Sequence, residues 1–146
     1  AYQRENMSTA KTYGLETEIR YNYKDLDVIL GYTYLETEDD QGRVLSYNPQ
    51  HLISTRIYFY CKKIKANLMA SLEDSRNRFY QNKSGEEEKL EDYTLINISL
   101  SKEVAKRFRL FTTLGNILNQ KFTTYEEKKT WSSYGLTYQF GLKFRL

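Results

Sequence analysis

The side chains able to do chemistry are few, and most stand alone. His51 is the only histidine and Cys61 the only cysteine, so neither a Cys–His pair nor an internal disulfide is available. Glu16 and Glu18 lie two apart with Arg20 beyond them. Paired carboxylates can do acid–base work, but on a wet strand face they pair with the arginine or line a lumen. Asp39-Asp40 could contribute to a Ca²⁺ site, but one acidic pair is weak evidence and a solvated loop is the default reading. No Gly-x-Ser-x-Gly and no His-Glu-x-x-His occurs. The chain is therefore read as not an enzyme, with no catalytic residue, no metal and no cofactor. Binding chemistry is better represented. Arg76, Arg78, Phe79 and Tyr80 form one group of basic and aromatic residues; Tyr125, Trp131 and Tyr134 form a second. Such groups are typical of ligand-binding surfaces. The same residue types also build the aromatic girdle of a membrane barrel.

Both groups sit at the ends of segments with a period of two. The last is Tyr134 to Leu146. Its even positions are Tyr134, Leu136, Tyr138, Phe140, Leu142, Phe144 and Leu146; its odd positions are Gly or polar. This is a β-strand with one apolar and one wet face. Its length suits a tilted strand crossing a bilayer, which needs about 9–11 residues. The alternation recurs over Tyr13–Tyr23, Leu26–Thr37, His51–Cys61, Ile64–Arg78, Asp92–Lys102 and Arg107–Tyr125. The fold class is all-β: an antiparallel up-and-down meander of about seven strands, part of a transmembrane β-barrel.

Composition agrees. Aromatics make up 15% of the 146 residues, and 14 of them are Tyr, whose ring and hydroxyl suit a membrane interface. No apolar run reaches the roughly 18 residues of a transmembrane helix. Residues 1–4 show no signal-peptide pattern, as in a mature, truncated or cytoplasmic chain. The net charge of +3 is spread out, without the basic stripe that nucleic acid requires.

The connections alternate between short turns near Lys24, Lys62 and Ala105 and long loops over 38–49, 80–91 and 126–133. Sorting by end is the pattern of outer-membrane barrels, with short periplasmic turns and long external loops. It places the C-terminus in the periplasm. Seven is odd, and an open sheet in lipid leaves two edges of unpaired backbone. The chain is therefore expected to be the C-terminal part of a larger barrel, with residues 1–11 belonging to an upstream external loop.

Three segments carry a family resemblance. Asn116-Ile117-Leu118-Asn119-Gln120-Lys121-Phe122 resembles the Asn-box on the penultimate strand of TonB-dependent outer-membrane receptors. Asp92-Tyr93-Thr94-Leu95-Ile96-Asn97 is similar to the opening of the preceding strand. Tyr47-Asn48-Pro49-Gln50-His51 resembles the Pro-x-His segment that enters an earlier one. Gln139, Gly141, Phe144 and Leu146 resemble the terminal signal read by the barrel assembly machinery, although Leu146 stands where the family usually has Phe. The resemblance implies that residues 1–146 are the C-terminal part of a 22-stranded barrel whose plug and upstream strands are absent here. It implies TonB-coupled uptake of a scarce solute such as a ferric siderophore, cobalamin, haem or a glycan. The implied partners are outer-membrane lipid, the remainder of the barrel, the plug, TonB through the missing N-terminal part, the assembly machinery and the imported ligand. One alternative stays open: a soluble lipocalin-like barrel or sandwich that binds a small apolar ligand. The two differ in which face is concave.

Overall fold

The computed structural model describes residues 9–40, 42–45, 48–81, 86–126, 129–132 and 135–144; along 81, 124–126 and 129–132 it describes the backbone alone. In chain order the strands are β1 (Ala10–Tyr23), β2 (Leu26–Asp39), β3 (His51–Cys61), β4 (Ala66–Arg76), β5 (Arg78–Gln81), β6 (Glu87–Leu90), β7 (Tyr93–Ala105), β8 (Phe108–Gly115), β9 (Thr123–Glu126), β10 (Lys129–Ser132) and β11 (Thr137–Phe144). Seven form one antiparallel sheet in the order β1-β2-β3-β4-β7-β8-β11. The hairpins β5–β6 and β9–β10 stand apart from it.

Directly paired residues in an antiparallel ladder project to the same side. The register therefore fixes both faces from a few pairs. Tyr21 meets Val28, Val28 meets Ile57, Ile57 meets Ala70, Ala70 meets Ile98, Ile98 meets Leu114 and Leu114 meets Tyr138. One apolar row thus crosses all seven strands. The next positions give the opposite face: Asp27 meets Tyr58, Tyr58 meets Met69, Met69 meets Ser99, Ser99 meets Thr113 and Thr113 meets Gln139. A hollow of 740 Å³ opens on this polar face, bordered by Asp27, Tyr58, Asn67, Ser101 and Thr113. A smaller hollow of 260 Å³ lies on the apolar face beside Ile19, Leu30, Tyr32 and Ile53, so the polar face is the more deeply concave one.

The apolar face has no protein against it. Tyr138 is 84% exposed and Phe140 73%, while the only buried apolar side chains among the described residues are Ile29, Ala66, Leu90 and Phe122. A lipocalin-like barrel would turn the apolar face inward, so the soluble alternative is not favoured. The described sheet is open, with β1 and β11 as its edges and every side chain of β1 exposed.

Two expected strands are each broken in two. Ile64–Arg78 becomes β4 and β5, divided at Asn77; Arg107–Tyr125 becomes β8 and β9, divided by the Asn-box. Asn77 and Asn116 have φ of 53° and 51°. That left-handed conformation is one Asn tolerates better than other non-glycine residues, and it ends a pleated strand. β1 begins at Ala10, so part of the expected upstream loop is strand. Ile64 lies in the turn before β4. β11 spans Thr137–Phe144, inside the expected Tyr134–Leu146; Tyr134 and Leu146 lie outside the described residues.

Gly141 has a local reason to be glycine. A Cβ there would come within 2.3 Å of the Phe111 ring, which lies across the strand on the polar face. Phe140 and Gln139, neighbours near the middle of β11, point to opposite faces. In the full-length protein, with the apolar face against lipid, Phe140→Arg is expected to destabilise the sheet by about 2–4 kcal/mol, as for a cation at the lipid midplane. Gln139→Arg should cost much less. Folding titrations of both variants in lipid vesicles check this, and equal costs would mean the faces are reversed.

Candidate functional site

The two hairpins rise from the long-loop end of the sheet, and a buried stack joins their bases. The Phe122 and Tyr93 rings lie nearly parallel, with centroids 4.0 Å apart and planes at 15°. The Arg78 guanidinium sits 4.8 Å from the Tyr93 ring centre and 5.6 Å from that of Phe122. Arg78 is only 6% exposed, and its Nη1 donates to the Glu91 carbonyl at 3.0 Å. A desolvated cation over aromatic rings contributes about 2 kcal/mol. The ring pair adds about 0.5–1.5 kcal/mol beyond its buried area. This stack links β5, the first residue of β7 and the segment entering β9.

Hydrogen bonds from the three family-like segments complete the anchor. Asp92 accepts the Asn77 amide at 2.8 Å, so the left-handed residue that ends β4 is held in place. The Gln50 amide donates to the Asn77 carbonyl, and the Gln50 carbonyl accepts the Leu35 amide. The segment around Pro49 thereby continues the β2 ladder. In the Asn-box, Asn116 Oδ1 accepts the Gln120 amide at 3.0 Å, and Asn116 Nδ2 donates to the Gln120 carbonyl at 2.8 Å. One side chain thus replaces both halves of a missing strand partner. Asn97 Oδ1 accepts the Asn116 amide at 3.0 Å, and Gln120 Oε1 accepts the Thr94 amide at 2.6 Å. Asn119 Oδ1 accepts the Leu136 amide at 2.9 Å, guiding the chain into β11. Apart from Asn77, Leu35 and Leu136, the groups in these contacts belong to motif residues, whose individual tasks the sequence did not reveal. Tyr93 and Phe122 carry no signal of the stack in sequence beyond their places in the motifs.

The candidate ligand residues do not form one cluster. Arg76 pairs in register with His51 on the apolar face, and its guanidinium grips Asp74 with Nε 2.8 Å from Oδ2. It sits beside a Tyr32 hydroxyl–His51 Nδ1 bond of 2.9 Å, with the Tyr34 ring 5.3 Å from the imidazole. That is the outward rim, the girdle setting that the sequence left open for such residues. Arg78 belongs to the buried stack, and Phe79 follows it in β5. Tyr80 stands on β5, its hydroxyl donating to Glu88 across the hairpin at 2.5 Å. Trp131 and Tyr125 lie in the β10–β9 ladder, opposite Thr124 and Thr130. Their side chains, and Tyr134 altogether, lie outside the described residues.

Of the possible chemical groups, Glu18 lies 3.4 Å from Arg20 Nη2 and 3.8 Å from Arg56 Nη2 on the concave face. Asp39 closes on Arg43, with Nε 2.6 Å from Oδ2. Lys143 of β11 pairs in register with Arg109 on the same concave face. Among the residues expected to form the terminal signal, Gly141 lies under Phe111, and the Phe144 ring tilts against Phe108 at 5.1 Å. Gln139 is exposed on the concave face, and Leu146 lies outside the described residues.

Asn116 combines a left-handed backbone with two side-chain hydrogen bonds. Asn116→Ala loses both and strains the backbone, so it should destabilise the box by about 2–4 kcal/mol. Asn116→Gly relieves the strain and should cost roughly 1 kcal/mol less than alanine. Hydrogen exchange at the Gln120 and Thr94 amides, measured in the full-length protein, reads both effects. Equal protection in the two variants would remove the backbone part of this account.

Comparison with known proteins places this geometry. The family model described as TonB dependent receptor-like, beta-barrel matches residues 1–119. No curated protein matches the chain significantly. Solved structures share the fold. The ferripyoverdine receptor of the outer membrane of Pseudomonas aeruginosa, bound to ferripyoverdine, is 20% identical with a TM-score of 0.77, over 92% of this chain and 19% of that one. The ferric-catecholate import receptor Fiu of E. coli K12 is 14% identical, TM-score 0.76, over 92% and 21%. The FrpB iron transporter of Neisseria meningitidis is 11% identical, TM-score 0.76, over 92% and 23%. The chain thus spans 19–23% of the length of these proteins. A family match running from residue 1 into the Asn-box shows that the chain belongs to the TonB-dependent receptor-like β-barrels, a family of outer-membrane receptors.

Proposed function

We propose that this chain supplies the last seven membrane-spanning strands of an outer-membrane receptor that takes up a scarce solute, a ferric siderophore foremost, with energy coupled through TonB. The observation that carries the reading is the polarity of the open sheet: an unpacked apolar face outward, a charged and polar face concave, and two edge strands awaiting partners. Unpaired strand edges are intolerable in hydrocarbon, so the remainder of the barrel must join β1 and β11. The plug would occupy the concave side against Glu18, Arg20 and Arg56. TonB would be reached through the N-terminal part. The final strand, with Gln139, Gly141, Phe144 and Leu146, would be read by the barrel assembly machinery.

In this reading the hairpins face the medium, the short turns and the C-terminus face the periplasm, and ligand is met by the hairpins. Tyr80, Tyr125, Trp131 and Tyr134 are the candidate contacts, with Arg78 anchoring them from below. Arg76 belongs to the outer girdle. Cobalamin, haem and glycans are the remaining solute classes. The iron-related names of the similar structures support the siderophore choice.

The test is deletion of the full-length gene in its own cell, followed by uptake of labelled ferric siderophores, haem, cobalamin and glycans. One class should be lost, regained with the intact gene and lost again without TonB. Undiminished uptake of all four classes would rule out the proposal.

A further inference from the structure

Cations collect at one end of the sheet. The long-loop end carries both signs, with Lys11 paired to Glu38 and Arg43 to Asp39. The short-turn end carries Lys24 in the β1–β2 turn, Lys62, Lys63 and Lys65 in the β3–β4 turn, and Lys106 and Arg107 in the β7–β8 turn. Lys62 reaches Asp25 at 2.7 Å. Lys24, Lys63, Lys65, Lys102, Lys106 and Arg107 are exposed and make no ion pair among the described residues. Six unneutralised cations at one end are a strong local field.

Their neighbours are apolar in a place where turns are ordinarily polar. Ile64, between Lys63 and Lys65, is 50% exposed, and so is Val104 just before the β7–β8 turn. Tyr23, Phe59, Phe108 and Phe144 form an exposed aromatic band on the adjoining stretch of the apolar face. Lys24 Nζ lies 4.9 Å over the Tyr23 ring. Lys102 fixes the level: it projects from the apolar face itself, in register between Ala66 of β4 and Leu110 of β8. A lysine on a lipid-facing wall is tolerable where its chain can snorkel to the headgroups. Aromatic band, snorkelling lysine and basic turns with apolar tips follow one another as hydrocarbon, interface and headgroup layer do.

We propose that the short-turn end is a docking surface for anionic phospholipid headgroups, of the phosphatidylglycerol type, in the periplasmic leaflet. This rests on the outer-membrane reading above. Charge complementarity selects the partner: phosphodiester groups in the plane of the turns meet cations that no carboxylate of the described chain satisfies. The apolar tips of the turns enter the same layer, which a soluble acidic partner would not reward.

The test uses the full-length receptor in phosphatidylcholine vesicles with trace spin-labelled phosphatidylglycerol or phosphatidylcholine. The native protein should immobilise phosphatidylglycerol severalfold more strongly. That preference should collapse at about 1 M salt, where the screening length is about 3 Å. Joint replacement of Lys24, Lys63, Lys65, Lys106 and Arg107 by Gln should abolish it, whereas Lys11→Gln with Lys121→Gln should not. Lys102→Met, an apolar change on an apolar face, keeps the test open if the multiple variant fails to fold; it should lower the preference by itself. Equal immobilisation of both lipids by the native protein overturns this proposal alone. Immobilisation of neither overturns the membrane reading as well. Unchanged preference in the multiple variant, with easier release of the plug, assigns the cations to the plug and also overturns it.

Discussion

Register is the constraint on which the rest depends. Side chains alternate with a period of two, so a slip of one residue in any ladder would carry an entire strand's apolar set to the concave side. Here each of the six ladders keeps an apolar residue opposite an apolar or Thr partner through the middle of the sheet, from the Ile19–Leu30 pair to the Phe140–Thr112 pair. The correct register also satisfies the backbone, the dominant demand where no water competes. Among the described residues the single irregularity of these ladders, between Glu103 and Ala105, lies at the short-turn end, where displaced groups reach water.

A sheet so constrained leaves its strands no freedom to vary. The chain gains segments outside the ladder by breaking strands rather than by lengthening loops. Asn77 and the Asn-box leave the pleat at the same end, and the segments beyond them form hairpins of their own. The Arg78, Tyr93 and Phe122 stack then ties both hairpin bases to the sheet. The hairpins are thus held at their roots while their tips stay outside the ladder. The motif residues Asn116 and Asp92 hold this junction through their side-chain hydrogen bonds.

The faces and the order of the seven strands were legible because period-two alternation is written in the composition of each segment. Loop sorting was legible because short turns concentrate Lys next to apolar runs. The breaks were not. Around Asn77 the residues Asp74, Ser75, Arg76 and Arg78 are all polar, so no pattern marks where the strand stops, and a single φ of 53° has no signature in residue type beyond Asn itself. β5 and β6 have four residues each, too few for periodicity to emerge from a charged stretch. The separation of the candidate site residues follows from the same break.

Arg76 and Arg78 show how far one backbone angle reaches. In an unbroken strand residues two apart share a face, so Arg78 would follow Arg76 to the outward rim. The left-handed Asn77 between them ends that parity. Arg76 stays outside, held by Asp74 and largely exposed. Arg78 goes inside, where two rings and the Glu91 carbonyl replace its water. Burying a guanidinium is costly unless its donors and charge are met, and the partners that meet it come from β7 and the Asn-box. The stack is therefore complete only where the start of β7 and the Asn-box are both in place. The hairpin bases thus depend on the sheet beneath them, and one left-handed residue decides which arginine meets water.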